Sequence, residues 1–223
     1  MNAQFIAHME RLLWLYALPY EPLSPVVCFD ERPCFLIGDA LAPLPLRSGH
    51  GRKEHYAYEK NGACALLAAI EPLTGKRLAQ VHVHRTKREY PQFCQAIAAA
   101  WPTATKIRLV QDNLNTHTPS AFYDHWPAAE AFALAERFEF SYTPKSASWL
   151  NMIEIEFSAL ARECLHRRIP TIEQLTKEVL TLVKERQQKQ IKIHWQFSLA
   201  AARDKLNRHY EGVLAANTQY KIT

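Results

Sequence analysis

No stretch of this sequence is long and apolar enough to cross a membrane. A spanning helix needs about 18–20 consecutive apolar residues, and no run approaches that length. The first residues, MNAQFIAHMERLLWLYALPY, also lack a small-residue cleavage site and carry Glu10 and Arg11 within their apolar pattern. They predict an amphipathic helix rather than a signal peptide. We therefore expect a cytoplasmic protein with no membrane partner.

Paired cysteine motifs and internal repeats are absent as well. The five cysteines are odd in number and contain no C-x-x-C pair, which is typical of reduced core residues. A chain of 223 residues, 48% of them hydrophobic, is long enough for one substantial domain. The 27 basic and 22 acidic residues leave a net charge of +5, which suits a polyanionic partner but is too small to demand one.

The first part of the chain predicts three sequential strands. VVCF is a β-branched and aromatic run that follows the prolines of YEPLSPVV and ends at Asp30. CALLAAI and KRLAQVHVH are two further strands, and the EPLTG between them supplies the turn of an antiparallel hairpin. His82 and His84 alternate in the last strand at a spacing that could bind zinc, but a surface pair is favoured because no third ligand lies nearby.

The rest of the chain alternates between helices and strands. A helix is predicted over about 87–101, followed by the strand TKIRLVQDN, which delivers Asp112 at its carboxyl end. A helix over about 118–136 precedes the fifth strand, FEFSY, and a long helix begins near Ser148. Further helices are predicted from 171 past 183 and over about 198–208.

This order mixes an antiparallel meander with parallel crossovers, and it is the strand order of ribonuclease H-like nucleases. We therefore predict an α/β fold, a ribonuclease H-like mixed five-stranded sheet with helices on both faces. The whole chain, 1–223, is expected to form a single domain with an N-terminal helix at 1–20 and a C-terminal helical extension at 168–223. Ligands of open α/β sheets gather at the carboxyl ends of strands, where this interpretation places Asp30 and Asp112.

Two glutamates stand one residue apart at the start of the long helix, in SWLNMIEIEF. Residues two apart in a helix point about 200° away from each other. Glu154 and Glu156 therefore flank opposite sides of the apolar stripe, and only one of them can join the aspartates. The helical phase favours Glu154 slightly, which leaves Glu156 as a partly exposed charge.

Three segments in this order, VVCFDE, LVQDNLNTH and TPKSASWLNMIEIEFSAL, resemble the catalytic domain of DDE transposases of the bacterial insertion-sequence branch of the Tc/mariner superfamily. The matching motifs are a first aspartate followed by Glu31, a D-N-x-x-x-H block, and W-L-N-x-x-E at the start of the last catalytic helix. The resemblance covers nearly the whole chain and implies that Asp30, Asp112 and Glu154 are the catalytic triad. The 41 residues between Asp112 and Glu154 fit this branch.

The resemblance also implies that the three acids bind divalent cations. Mg²⁺ prefers oxygen ligands, and a few carboxylates with substrate phosphate oxygens can hold two ions about 4 Å apart. By analogy with the family, Asp30 lies between two Mg²⁺ ions, for which Mn²⁺ can substitute, and Asp112 and Glu154 each complete one side. Closely spaced carboxylates repel one another without a cation, so they should titrate as a coupled group.

Other residues of these motifs are expected to support the site. Asn113 and His117 follow Asp112 at a turn, where they could hydrogen-bond a ligated carboxylate or a phosphate, or merely cap the turn. Asn151 lies three residues before Glu154 on the same helical face and could reach the same phosphate. Glu31 could orient a ligand or be exposed to solvent.

Basic and aromatic residues are candidate DNA contacts. The loop RSGHGRKEHYAYEK mixes both, as DNA-binding segments do, although an ordinary solvated loop would look similar. Lys145 and Trp149 flank the start of the catalytic helix, where Trp149 could equally be a packing anchor. The candidate DNA-binding residues are Arg47, Arg52, Lys53, Lys60, Lys145 and Trp149.

Full-length members of the resembled family carry an N-terminal helix-turn-helix region that reads the ends of the element. Here the first predicted helix runs directly into the first catalytic strand, so recognition would need a separate helix-turn-helix polypeptide. The expected function is metal-dependent cleavage and joining of transposon-end and target DNA by a homo-oligomer. Two alternatives stay open: a ribonuclease H-like nuclease without strand transfer, and a non-catalytic DNA-binding remnant.

Overall fold

The protein is built around one mixed sheet with helices packed on it. The computed structural model describes residues 1–42, 49, 55–84, 86–114 and 117–220. Its strands are β1 (Val26–Asp39), β2 (Tyr58–Glu71), β3 (Lys76–His82), β4 (Ile107–Gln111) and β5 (Phe138–Tyr142). Its helices are α1 (Ala3–Tyr16), α2 (Glu89–Ala100), α3 (Ser120–Tyr123), α4 (Ala128–Ala135), α5 (Ile153–Glu163), α6 (Ile172–Gln188), α7 (Leu199–Lys205) and α8 (Asn207–Val213). Among these helices, none has the length and apolarity that a membrane span requires.

The strands lie in the order β3-β2-β1-β4-β5, as the predicted mixture of meander and crossovers requires. β2 pairs antiparallel with both β1 and β3, while β4 pairs parallel with both β1 and β5. The register sets Cys28 of β1 opposite Val110 of β4. Continued two residues further, the same register brings Asp30 level with Asp112.

Side chains of the central strands alternate between two apolar cores, one on each face of the sheet. Cys28 faces a first core that includes Phe157 of α5, together with residues of α1 and α6. Phe29 faces a second core that includes Phe93 of α2 and Phe122 of α3. The alternation follows from the two-residue period of a strand. The predicted sheet with helices on both faces is confirmed, and residues of α6, α7 and α8 contribute to the first core.

β1 is much longer than the predicted VVCF strand. β4 pairs only with residues 26–28, and β1 then continues as a two-stranded ribbon with β2 as far as Asp39. Pro33 is tolerated within it because β4 no longer pairs with β1 at that point. The prediction that Asp30 lies at the exit of a strand is therefore wrong, because Asp30 lies inside β1. It is accessible because β4 ends beside it.

Several predicted helices are interrupted in the structure. The helix predicted over 118–136 is divided into α3 and α4, because Pro127 cannot donate a backbone hydrogen bond and occupies the cap position of α4. The long helix predicted from near Ser148 corresponds to α5 and begins only at Ile153, since a short 3₁₀ turn precedes it and Asn151 has an extended backbone. The helix predicted over 198–208 is divided at Leu206 into α7 and α8.

Candidate active site

Two aspartates lie side by side on the central strands. Asp112 directly follows β4, and Asp30 lies at the same level on β1. Each is two residues beyond a side chain of the first core, Val110 and Cys28 respectively. Because strand side chains alternate, both aspartates point to the face of the sheet on which α5 packs.

Glu154 lies in the first turn of α5 and is half-buried. The buried amide of Asn151 fixes this turn to the sheet, since its Nδ2 donates to the carbonyl of Phe29 over 2.8 Å. That carbonyl belongs to the residue before Asp30, so the start of α5 is held next to the acids. The amide of Asn151 is buried and bonded to β1, so the structure supports a role in holding the start of α5 rather than the expected contact with a phosphate.

Asp112 and Glu154 lie close enough to Asp30 to alter the ionisation of Asp30. The pKa of Asp30 is raised to about 7, mainly by burial and further by the charges of Asp112 and Glu154. Among the described residues, however, no group of three or more His, Cys, Asp and Glu side chains is arranged to hold a metal ion. The three acids are neighbours rather than a closed ligand set. They suit a hard cation such as Mg²⁺, because they supply oxygen donors whose mutual repulsion a cation would relieve.

His117 is a buried link between Asp112 and Glu31. Its Nδ1 is hydrogen-bonded to the carboxylate of Asp112, and its Nε2 lies 3.3 Å from Oε1 of Glu31. Burial alone lowers the pKa of His117, but the two carboxylates outweigh burial and raise the pKa to about 9. The imidazolium therefore persists at neutral pH. The side chain of Glu31 is buried, so of its two predicted roles the structure favours orientation over exposure.

Two residues that hold His117 were missed in the sequence. Nε2 of Gln111 donates to the carbonyl of His117 over 2.7 Å, and the hydroxyl of Tyr90 donates to Oε1 of Gln111 over 3.0 Å. The Tyr90 ring stacks on the imidazole at 4.7 Å between ring centres. Gln111 could have been noticed as a polar residue in a buried strand directly before Asp112. Tyr90 could not, because its position in α2 is that of an ordinary core aromatic.

Glu156 is not the partly exposed charge that was predicted. Its carboxylate is buried and accepts hydrogen bonds from Arg77 at 2.9 and 3.1 Å and from Arg186 at 2.8 and 3.2 Å. Burial raises the pKa of Glu156, but the two guanidinium groups outweigh it and the pKa is lowered. The correction agrees with the helical geometry, because Glu154 and Glu156 still face different sides of α5.

The remaining candidates lie at different distances from the acids. Asn113 and Lys145 are exposed beside Asp112, and Trp149 is 48% exposed with its ring edge against Phe197. Lys60 is exposed on the β1–β2 ribbon, roughly 25 Å from the level of Asp30 at about 3.4 Å per residue. His82 bonds Gln80 and joins no metal-binding group within the described residues. Outside the described residues lie Arg47, Arg52 and Lys53.

The sheet order, the helices on both faces and the acids on β1, after β4 and on α5 define a ribonuclease H-like fold. Within that class the chain belongs to the DDE superfamily endonucleases, because the sequence model of this family matches residues 25–176. The matched span contains all three acids and His117. The predicted family is thereby confirmed. Comparison with curated proteins finds no matching sequence.

Solved structures of the Mos1 mariner transposase have the same fold. The match to the Mos1 mariner paired-end complex with Mn has 14% sequence identity and a TM-score of 0.58, and it covers 97% of this chain and 63% of the Mos1 chain. The complex with Mg has the same identity and coverage and a TM-score of 0.56. The Mos1 strand transfer complex is 15% identical, covers 96% of this chain and 60% of its own, and has a TM-score of 0.56. The chain thus spans less than two thirds of the length of these proteins.

Proposed function

We propose that this chain is the catalytic domain of an insertion-sequence transposase, which cleaves DNA strands and joins them to target DNA. The observation that carries the proposal is the half-buried carboxyl of Asp30 beside Asp112 and Glu154, whose charges, together with burial, raise its pKa, in a chain of the DDE endonuclease family. These three residues would hold two Mg²⁺ ions, with Mn²⁺ as a substitute. Once bound, such ions activate the attacking water or 3′-hydroxyl and stabilise the leaving oxygen.

The neighbouring residues orient the proposed ligands. His117, charged and buried, holds one oxygen of Asp112. Glu31 balances the imidazolium from the opposite side. Asn151 holds the first turn of α5 against β1, which sets the position of Glu154. Ligands that are positioned by further hydrogen bonds lose less conformational freedom on binding.

The partners in this proposal are transposon ends and target DNA. The paired-end and strand transfer complexes named for Mos1 support this assignment, and the net charge of +5 is compatible with it. We further propose that the chain acts in the cytoplasm as a homo-oligomer on DNA. A separate helix-turn-helix polypeptide would supply recognition of the element ends.

Alanine substitution of each acid tests the metal site. Asp30→Ala, Asp112→Ala and Glu154→Ala should each abolish Mg²⁺- or Mn²⁺-dependent nicking of supercoiled plasmid DNA. Glu163→Ala is the matched control, because Glu163 is an exposed acid at the other end of α5. Nicking at the wild-type rate by all three variants would remove the assignment. Calorimetry with Mn²⁺ distinguishes a catalytic domain, which should bind the ion, from a non-catalytic DNA-binding remnant, which need bind no metal.

A second assay separates strand transfer from simple hydrolysis. A DNA end that already carries a free 3′-hydroxyl is supplied together with target plasmid and Mn²⁺. A transposase should produce the covalently joined product. A chain that nicks plasmid DNA but never joins this end would be a nuclease without strand transfer.

A further inference from the structure

Gln111 is the last residue of β4, and its side chain is fully buried. Ile107 and Leu109, which share its side of the strand, belong to the second core. An amide in such surroundings costs free energy unless hydrogen bonds satisfy it. Because strand side chains alternate, Gln111 lies on the opposite face of the sheet from Asp112. It therefore faces away from the proposed metal site, and its presence in the strand needs another reason.

Both ends of the Gln111 amide are hydrogen-bonded. Its Nε2 donates to the backbone carbonyl of His117 over 2.7 Å, and its Oε1 accepts from the hydroxyl of Tyr90 over 3.0 Å. A backbone carbonyl can only accept a hydrogen bond, so the amide nitrogen must face His117 and the amide oxygen must face Tyr90. The two partners together therefore fix the orientation of the amide.

These hydrogen bonds close the turn that follows β4. The turn begins at Asp112 and reaches His117, whose backbone N–H donates to the carbonyl of Leu114 over 2.9 Å. Gln111 holds the carbonyl of His117, and the ring of Tyr90 stacks on the imidazole at 4.7 Å between ring centres. The backbone and the ring of His117 are therefore both held in place, and the ring in turn bonds the carboxylate of Asp112.

We propose that Gln111 and Tyr90 are positioning residues of the metal site, which fix the direction of the Asp112 carboxylate through His117; this inference rests on the proposed function. The consequence is selectivity between cations. Mg²⁺ requires near-ideal octahedral geometry with ligands at about 2.0–2.1 Å, while Ca²⁺ accepts flexible geometry at about 2.3–2.6 Å. A site whose Asp112 carboxylate is free to turn should therefore lose affinity for Mg²⁺ before it loses affinity for Ca²⁺.

The test measures the affinities of the full chain for Mg²⁺ and Ca²⁺. Free Mn²⁺ is followed by electron paramagnetic resonance, and the other two ions are titrated in competition with it. Gln111→Met removes both hydrogen bonds of the amide at a similar side-chain length. It should weaken Mg²⁺ binding about tenfold, the lower end of the loss that follows when the support of a metal ligand is removed. Ca²⁺ binding should weaken by less than about threefold.

Tyr90→Phe is the milder variant, because it keeps the ring that stacks on His117 and removes only the hydroxyl. It should lower the affinity for Mg²⁺ about threefold and leave the affinity for Ca²⁺ unchanged. The loss is smaller than for Gln111→Met because the bond from Gln111 Nε2 to His117 remains. If Gln111→Met does not fold, Tyr90→Phe decides the outcome.

Two matched controls make the same substitutions elsewhere. Tyr210→Phe removes a buried hydroxyl that donates to Glu10 over 2.7 Å, and Gln95→Met changes an exposed glutamine of α2. Both should bind the three ions as wild type does. Equal losses for Mg²⁺ and Ca²⁺ in the test variants, or affinities equal to those of wild type, would overturn the positioning role alone. If the wild-type chain binds no Mn²⁺, the proposed metal site fails together with this inference.

Discussion

At the scale of single residues, the candidate site depends on one buried imidazole between two carboxylates. His117 is fully enclosed, with Tyr90 stacked on one side and the edge of Phe29 at 5.4 Å. Enclosure strengthens its interactions with Asp112 and Glu31, because the local dielectric is low. For the same reason, losing one member would leave the others buried without a partner.

His117→Ala should lower Mn²⁺ affinity and plasmid nicking by about 10–100-fold, the usual loss when a residue that orients a metal ligand is removed. Asp112 would lose the group that holds its carboxylate, while Asp30 and Glu154 would remain. Calorimetry with Mn²⁺ and the nicking assay, both at a temperature at which the variant is folded, measure the two effects. His209→Ala, at an exposed position on α8, is the control. An unchanged Mn²⁺ affinity would show that His117 does not position Asp112.

At the scale of elements, Glu156 joins three parts of the chain. Arg77 comes from β3 and Arg186 from α6, and both bond the same carboxylate on α5. Arg77 also donates to the carbonyls of Gly75 at 2.5 Å and Ile191 at 2.6 Å. α5 is thus attached to the edge strand β3 by a buried ionic network, two residues beyond Glu154.

Glu156→Ala should lower the free energy of unfolding by about 3–5 kcal/mol, because it leaves the buried Arg77 without its counter-charge. Urea denaturation at neutral pH measures the change. Glu163 lies on α5, as Glu156 does, but it is exposed and only 3.4 Å from Arg186 of α6. Glu163→Ala should therefore lower the free energy of unfolding by no more than about 0.5 kcal/mol. Similar losses in the two variants would mean that the buried network contributes nothing beyond a surface ion pair.

At the scale of the whole molecule, the first helix is joined to the last two. Arg203 of α7 bonds both oxygens of Glu10 at 2.8 and 3.0 Å, and the hydroxyl of Tyr210 in α8 donates to Oε1 at 2.7 Å. The hydrogen bond from Arg203 is the main reason that the pKa of Glu10 is lowered. Arg203 and Tyr210, about 200 residues from Glu10 in sequence, thus connect α7 and α8 to α1 beside the first core.

This ion pair predicts a particular pH dependence of stability. A carboxyl whose pKa is lower in the folded state stabilises the fold fully above its unfolded pKa of about 4.3, and this contribution is lost as pH falls through the lower folded pKa. Glu10→Gln should therefore reduce the fall in stability of the protein between about pH 5 and pH 3. Thermal unfolding across this range measures it. Glu130→Gln, at an exposed position on α4, should retain the wild-type profile, and an identical profile for Glu10→Gln would contradict the prediction.

Local patterns in the sequence were enough to establish the order of strands and helices, the mixed sheet and the family. Strand alternation, proline breaks and short motifs extend over only a few residues, so they can be recognised in the sequence without a structure. The lengths of β1 and α5 could not be predicted from the sequence, because they depend on where β4 stops pairing with β1 and on the hydrogen bond from Asn151 to the sheet.

The environment of each acid could be decided only by the tertiary structure. The two partners of Glu156, Arg77 and Arg186, are 79 and 30 residues away in sequence, and the partner of Asn151 is 122 residues away. Hydrophobic periodicity in the sequence does not reveal which distant residues form such pairs. The burial of a carboxylate and the identity of its partner decide whether it is a solvated charge, a buried counter-ion or a member of the site. Glu154 and Glu156 share a residue type and a helix turn, and they differ because folding places the charge of one near Asp30 and bonds the other to Arg77.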